Sequence, residues 1–270
     1  MPSAPDDSTA ARLLGAAEHA ASTLRVTITG PPIWGWEGRS INAPVETNRW
    51  LRLLSIPADR TPSWDGPQAA EAAVPETVPR PRLHEVHMWR DDSFAYRAEV
   101  YDRVDCQPLS DGALLGYAPD LPDAWWSALR QSLDTVAAVE TDRVAIRQER
   151  LHWALPKFLE AEVETEVPSW STAHADIQWS NICGPKLCIL DWERWGLAPA
   201  GYDAATLFIS SLIAPKLADR VWREFAYVLD TPAGRFSELV VASEFLQGMQ
   251  RGNNLELEGP LRERVVQLLG

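Results

Sequence analysis

Lysine is almost missing from this chain. Lys157, Lys186 and Lys216 are the only three, and the first 150 residues contain none. Nearly all positive charge is therefore arginine, whose planar, permanently charged fork is not interchangeable with an ammonium. Cysteine is also scarce. Cys106, Cys183 and Cys188 are odd in number and are not spaced as a metal cluster, which predicts reduced thiols and a cytoplasmic setting rather than a disulfide framework or a zinc site. No run of about 18 uncharged apolar residues exists, so no membrane-spanning helix is expected. The opening MPSAPDDSTAARLL carries acids and no basic region ahead of an apolar stretch, so no secretory signal is expected. Positive charge is short overall, with a net charge of −13. That argues against general nucleic-acid binding, which needs cations to neutralise phosphates. It suits a cationic acceptor or a basic partner-protein surface, although it also serves simple solubility.

What is present is globular: 46% hydrophobic and 23% charged residues, with 13 tryptophans in 270 residues. Residues 8–24 have Ala/Leu helical spacing with Ser8 as a plausible N-cap. Residues 25–29 (RVTIT) alternate as a strand. A connection bearing Gly30, Gly35 and Gly38 follows, then a strand over 49–55. GPQAAEAAV predicts a short helix, and 83–89 with 94–104 predict a strand pair turning at Arg90–Asp92. From 123 onward the periodicity is helical, with breaks near Pro215, Pro232–Gly234 and Asn253–Asn254. The expected class is α+β, with a β-rich N-terminal lobe (1–104) and a mostly helical C-terminal lobe (105–270).

The run HADIQWSNICGPKLCILDWERWGLAPAGYDAA carries the chemistry. Asn181 follows Asp176 by five residues, and Asp191 follows Asn181 by ten. Between them ICGPKLCIL reads as an apolar hairpin turning at Gly184–Pro185. Phosphoryl transfer needs a carboxylate to take the proton of the attacking hydroxyl, and oxygen ligands to hold magnesium against phosphates. Asp176 fits the first role, with His174 positioning its loop, and Asn181 and Asp191 fit the second. Each of these residues taken singly is an ordinary polar loop residue; the four at this spacing are not.

HADIQWSN, LDWE and GYDAATLF resemble the catalytic core of the aminoglycoside phosphotransferase and choline kinase superfamily. YDRVDCQPLS (101–110) is similar to its hinge, and VPRPRL to the strand before it. The resemblance spans roughly 78–110 and 171–210. It implies a two-lobed protein-kinase-like fold with ATP in the cleft, Mg²⁺ as the ion, and Tyr101 and Val104 among the nucleotide-binding residues. Ala175 stands where the family usually has glycine, and Cys106 where its hinge does. The family's β3 lysine is missing; Arg52 is the first candidate substitute, Arg49 the second, with Glu71 as helix partner. Trp179, Trp192 and Trp195 flank the site, either as packing or as an aromatic wall for a substrate. The acceptor implied is the hydroxyl of an amino sugar, an amine alcohol, another metabolite or a peptide Ser/Thr. The alternative is a pseudokinase that binds a nucleotide or a partner protein without turnover.

Overall fold

The computed structural model describes residues 4–35, 38, 40–60 and 64–270. Two compact units form: Met1–Ala72 with Arg80–Asp105, and Ala73–Pro79 with Cys106–Gly270.

The first unit is a five-stranded antiparallel sheet with one long helix on it. Helix α1 spans Asp7–Leu24. Strands β1 (Ile33–Trp34), β2 (Ser40–Val45), β3 (Arg49–Pro57), β4 (Leu83–Arg90) and β5 (Phe94–Asp102) are ordered β1-β2-β3-β5-β4. The side-chain period of two sorts β3 and β5 onto two faces. Leu51, Leu53, Tyr96, Ala98 and Val100 join Leu13, Ala17, Ala20 and Ala21 of α1 in one apolar core. The alanines let the helix lie close to the sheet, and each larger apolar side chain buried there contributes roughly 1.5–3 kcal/mol. Trp34 also packs against this core, whereas Trp36 lies outside the described residues. Arg52, Arg97, Glu99 and Tyr101 fall on the opposite face, where Gln68 of α2 (Gly66–Ala73) meets Arg97 at 3.1 Å.

Two expectations fail here. The N-cap of α1 is Asp6, which accepts the backbone N–H of Ser8 at 3.1 Å and of Thr9 at 3.0 Å; the helix starts one residue early and Ser8 lies in its first turn. Residues 25–29 form no strand. Ile28 alone bridges to Val45, flanked by the Thr29 N–H to the Pro44 carbonyl at 2.9 Å and the Glu46 N–H to the Thr27 carbonyl at 3.0 Å.

The second unit is mainly helical. Helices α3 (Asp123–Ala137) and α4 (Gln148–Leu159) precede the strand pair β7 (Trp170–Ala173) and β9 (Gly196–Pro199). A second small pair joins β6 (Gln107–Pro108) to β8 (Cys183–Gly184). The expected hairpin is present: Ile182 bridges Ile189, and the Cys183 N–H reaches the Cys188 carbonyl at 2.9 Å. Its outer arm is anchored when the Ile189 N–H donates to Pro79 at 2.8 Å. All three cysteines are buried free thiols.

Helices α5 (Tyr202–Ile209), α6 (Pro215–Leu229), α7 (Pro232–Met249) and α8 (Glu258–Leu269) complete the unit. Pro215 and Pro232 start α6 and α7, where the missing N–H is no loss. Helix α5 is buried along its whole length and packs against α6 and α7. The one charged side chain α7 buries completely, Glu238, receives both forks of Arg264 from α8 at 2.7 and 2.9 Å. No helix among the described residues is long and apolar enough to cross a membrane.

Candidate functional site

The loop after β7 is built around a histidine that never reaches solvent. His174 is 0% exposed. Its Nε2–H donates to the Leu190 carbonyl at 2.9 Å, and its Nδ1 accepts the Asp176 N–H at 3.3 Å. Those two bonds fix a neutral tautomer, and burial pushes the imidazole down to about 4. The ring thus ties the Asp176 turn to the residue before Asp191. A second tie runs through Asn181. Its Nδ2 donates to the Asp176 carbonyl at 2.8 Å and to Asp176 Oδ2 at 3.1 Å. Its own carbonyl accepts the Leu190 N–H at 2.8 Å. Gln178 donates to Asp176 Oδ1 at 3.0 Å. His174, Asp176, Asn181 and the start of the Asp191 turn are therefore one cross-linked element.

Asp203, at the start of α5, holds this element from below. It accepts the N–H of His174 at 2.7 Å and of Ala175 at 2.9 Å. Burial pushes its carboxyl up to about 6, against the pull of those two donors. Ala175 is left-handed, with φ 63°, and Asp191 likewise, with φ 60°. Glycine adopts that region freely, and an alanine there is strained by about 1 kcal/mol. The two bonds to Asp203 hold the strained turn in place.

Negative charge dominates around Asp176. Burial and then Asp191 push its carboxyl up to about 6; Glu244 adds to this, while Arg194 and the Asn181 bond pull the other way. A buried carboxylate raised by a neighbouring one is a place where a cation is stabilised.

The flanking tryptophans are packing, not a substrate wall. Trp179 and Trp195 are 0% and 1% exposed and Trp192 is 6% exposed. Trp179 donates to Ser211 at 3.1 Å, Trp192 donates to Ile189 at 2.9 Å, and Trp192 sets its ring edge against His174 at 4.6 Å. The indole N–H groups of Trp179 and Trp192 thus have partners inside the protein, as burial requires.

Neither a protein-family model nor a curated protein matches the chain. Solved structures do. A thermostable mutant of aminoglycoside phosphotransferase APH(4)-Ia in its apo form superposes with a TM-score of 0.60 at 12% identity, over 94% of this chain and 98% of that one. A ternary complex of that enzyme with ADP and hygromycin B gives 0.58 at 12% identity, over 94% and 97%. The ternary complex of APH(2'')-IIa with streptomycin and ATP gives 0.53 at 13% identity, over 94% and 95%. The fold is that of the aminoglycoside phosphotransferases.

Within this phosphotransferase fold, Arg52 lies on β3 directly opposite Glu99 of β5. Its carboxylate partner there is Glu99, at 3.9 Å. Glu99 is 0% exposed and also receives Arg97 Nε at 2.6 Å and the Tyr101 hydroxyl at 2.8 Å. Burial, and then Glu99, pushes the Tyr101 phenol up. Glu71, the helix partner expected for Arg52, is engaged by two other arginines. Arg82 binds it through Nε at 2.6 Å and through Nη2, Arg80 lies at 3.7 Å, and the Leu83 N–H donates to it at 3.3 Å. The chain returning from α2 into β4 delivers those arginines to it. Arg49 faces Glu85 at 3.6 Å. Val104 is half-buried in the connection after β5.

Glu99, Gln178 and Arg194 were not singled out from the sequence. Glu99 had a signal: Arg97, Glu99 and Tyr101 alternate along β5 and so share a face. Gln178 and Arg194 had none beyond proximity to Asp176 and Asp191.

Proposed function

We propose that this chain is a phosphotransferase that moves the γ-phosphoryl group of ATP to a hydroxyl of a small molecule. The observation that carries the reading is the cross-linking of Asp176, Asn181 and the Leu190–Asp191 turn by His174 and the Asn181 amide. It is supported by a fold shared with enzymes solved as complexes with ADP or ATP and an aminoglycoside.

Asp176 is the proposed catalytic carboxylate. The acceptor oxygen bonds to the γ-phosphorus as the bond to the β,γ-bridging oxygen breaks. ADP leaves with that electron pair, and Asp176 takes the hydroxyl proton. His174 is a positioning residue, since it is buried and acts through the loop.

Mg²⁺ fits the donors present. Asn181 commits its nitrogen to Asp176, which turns its Oδ1 away from that carboxylate, and Asp191 supplies a carboxylate. Both are the hard oxygen donors magnesium takes, with phosphates and water completing its shell. No cluster of three or more His, Cys, Asp or Glu suited to a metal exists among the described residues, so Asn181 and Asp191 are the proposed pair. When bound, the ion neutralises charge on the phosphates. In the sheet unit, Arg52 is the proposed phosphate cation, and Tyr101 and Val104 are proposed nucleotide contacts. Glu71 supports that unit through Arg82.

Calorimetric titration with Mg²⁺·ATP tests this, alongside ATP consumption across a panel of hydroxyl compounds. Binding lost in Asp191→Ala, and turnover lost in Asp176→Asn with binding kept, are the expected results. A second reading, a nucleotide-binding pseudokinase, draws on the engagement of Arg52 by Glu99. Tight binding without turnover across the panel selects it, and absent binding sinks both.

A further inference from the structure

The helical unit holds a cavity of ≈ 390 Å³ whose lining includes Arg147, Arg150, Arg194, Arg251, Glu244 and Gln247. That volume lies within the range of small-ligand sites, about 300–1,000 Å³. In a chain of net charge −13, four guanidiniums facing a single carboxylate reverse the global sign locally.

The one acid is already engaged. Glu244 accepts the Tyr202 hydroxyl at 2.5 Å and has Arg150 at 3.7 Å. Arg150 in turn is oriented by Gln247, at 2.7 Å. Arg147 and Arg251 have no side-chain hydrogen bond or ion pair among the described residues. Arg147 is also the N-cap of α4, and no side chain caps that end. The first-turn amides of a 12-residue helix therefore add their partial positive charge beside the arginines.

The cavity also adjoins the proposed chemistry. Arg194, which lines it, lies three residues past Asp191, and Asp176 feels both Arg194 and Glu244. A cationic amino sugar placed here would meet like charge. A carboxylate or phosphate would meet forks that bind it bidentately.

Building on the phosphotransferase reading, we infer that the acceptor is a hydroxylated small anion. Its carboxylate or phosphate sits among Arg147, Arg150, Arg194 and Arg251, and its hydroxyl is presented to Asp176. This departs from the cationic acceptor that the net charge suggested.

Two measurements separate this inference from the reading it rests on. The first titrates inorganic phosphate into nucleotide-free protein, wild type and Arg147→Gln/Arg251→Gln. Binding weakened about tenfold to a hundredfold in the double variant supports the anion site whether or not turnover is found. Binding unchanged by the double substitution overturns it. The second measures ATP consumption with three acceptor sets: hydroxy carboxylic acids, sugar phosphates and amino sugars. Turnover of one of the first two sets, with KM raised about tenfold or more in the double variant and kcat little altered, supports the inference and tells carboxylate from phosphate. Turnover confined to amino sugars, with KM indifferent to the double substitution, overturns it and leaves the phosphotransferase reading standing. Mg²⁺·ATP calorimetry on the same double variant checks that its nucleotide affinity is retained, which ties any KM change to the acceptor.

Discussion

On β5 of the sheet unit, Glu99 sits between two guanidiniums and a phenol. In the helical unit, Asp176 sits among two amides, two further carboxylates and one guanidinium. In the first cluster the one carboxylate is fully matched by two guanidiniums and a phenol, so Glu99 mainly holds strands together. The second is fixed in place by neutral donors and leaves a surplus of negative charge. A rigid cluster with surplus negative charge is poised to receive a cation, whereas a buried carboxylate already matched by cations is poised to resist change.

The comparison breaks most visibly at Asp176. Asp176→Asn keeps the side-chain shape and one of the two bonds from Gln178 and Asn181, sets its NH2 against the other donor, and removes the base, so kcat for ATP consumption falls about 10³–10⁴-fold at a stability cost of about 1–3 kcal/mol. If turnover survives, the Asp176 cluster is not catalytic. Glu99→Gln comes next. It leaves Arg97 buried without a countercharge and costs about 3 kcal/mol in urea denaturation; a loss under about 1 kcal/mol would mean that Glu99 does not hold the sheet cluster together. Asp203→Ala strips acceptors from two buried amides and lowers stability by about 2–3 kcal/mol.

His174 gives a pH test of intermediate size. Unfolded, it takes a proton near its ordinary value of 6.5; folded, burial delays protonation to about 4. The unfolded chain therefore binds more protons between those values, and stability is lost as pH falls from 6.5 toward 4, by about 2 kcal/mol between pH 7 and 5. Asp176 and Asp203, raised to about 6, tilt the curve the opposite way over part of that range. The readout is therefore the difference in slope between wild type and His174→Gln, and identical slopes would contradict a buried neutral ring. The smallest effect expected is at Ala175. Ala175→Gly relieves the left-handed strain and raises stability by about 0.5–1 kcal/mol, measured as a shift in Tm.

Much of this was legible locally. Helix α1, the β4–β5 pair and the hairpin between Asn181 and Asp191 follow from periodicity and turn residues within a dozen positions. So does the grouping of His174, Asp176, Asn181 and Asp191, because one short hairpin separates them. Misreadings arose where two equivalent choices competed. Asp6 and Ser8 are both good caps, and the helix began early enough to use the acid. RVTIT has strand composition, but it meets β2 only at the end of that strand, where Ile28 bridges Val45. The engagement of Glu71 by Arg80 and Arg82 was not legible either, because the chain returning from α2 brings those arginines to it.

Local order thus came from side-chain period, caps and turns, which act over a few residues and can be read in one dimension. Packing alone could pair Glu99 with Arg52, seal His174 behind Trp192, and gather Arg147, Arg150, Arg194 and Arg251 around one cavity. Most of those partners come from different strands and helices. Strand register and helix packing bring them together, and no short window of sequence encodes either.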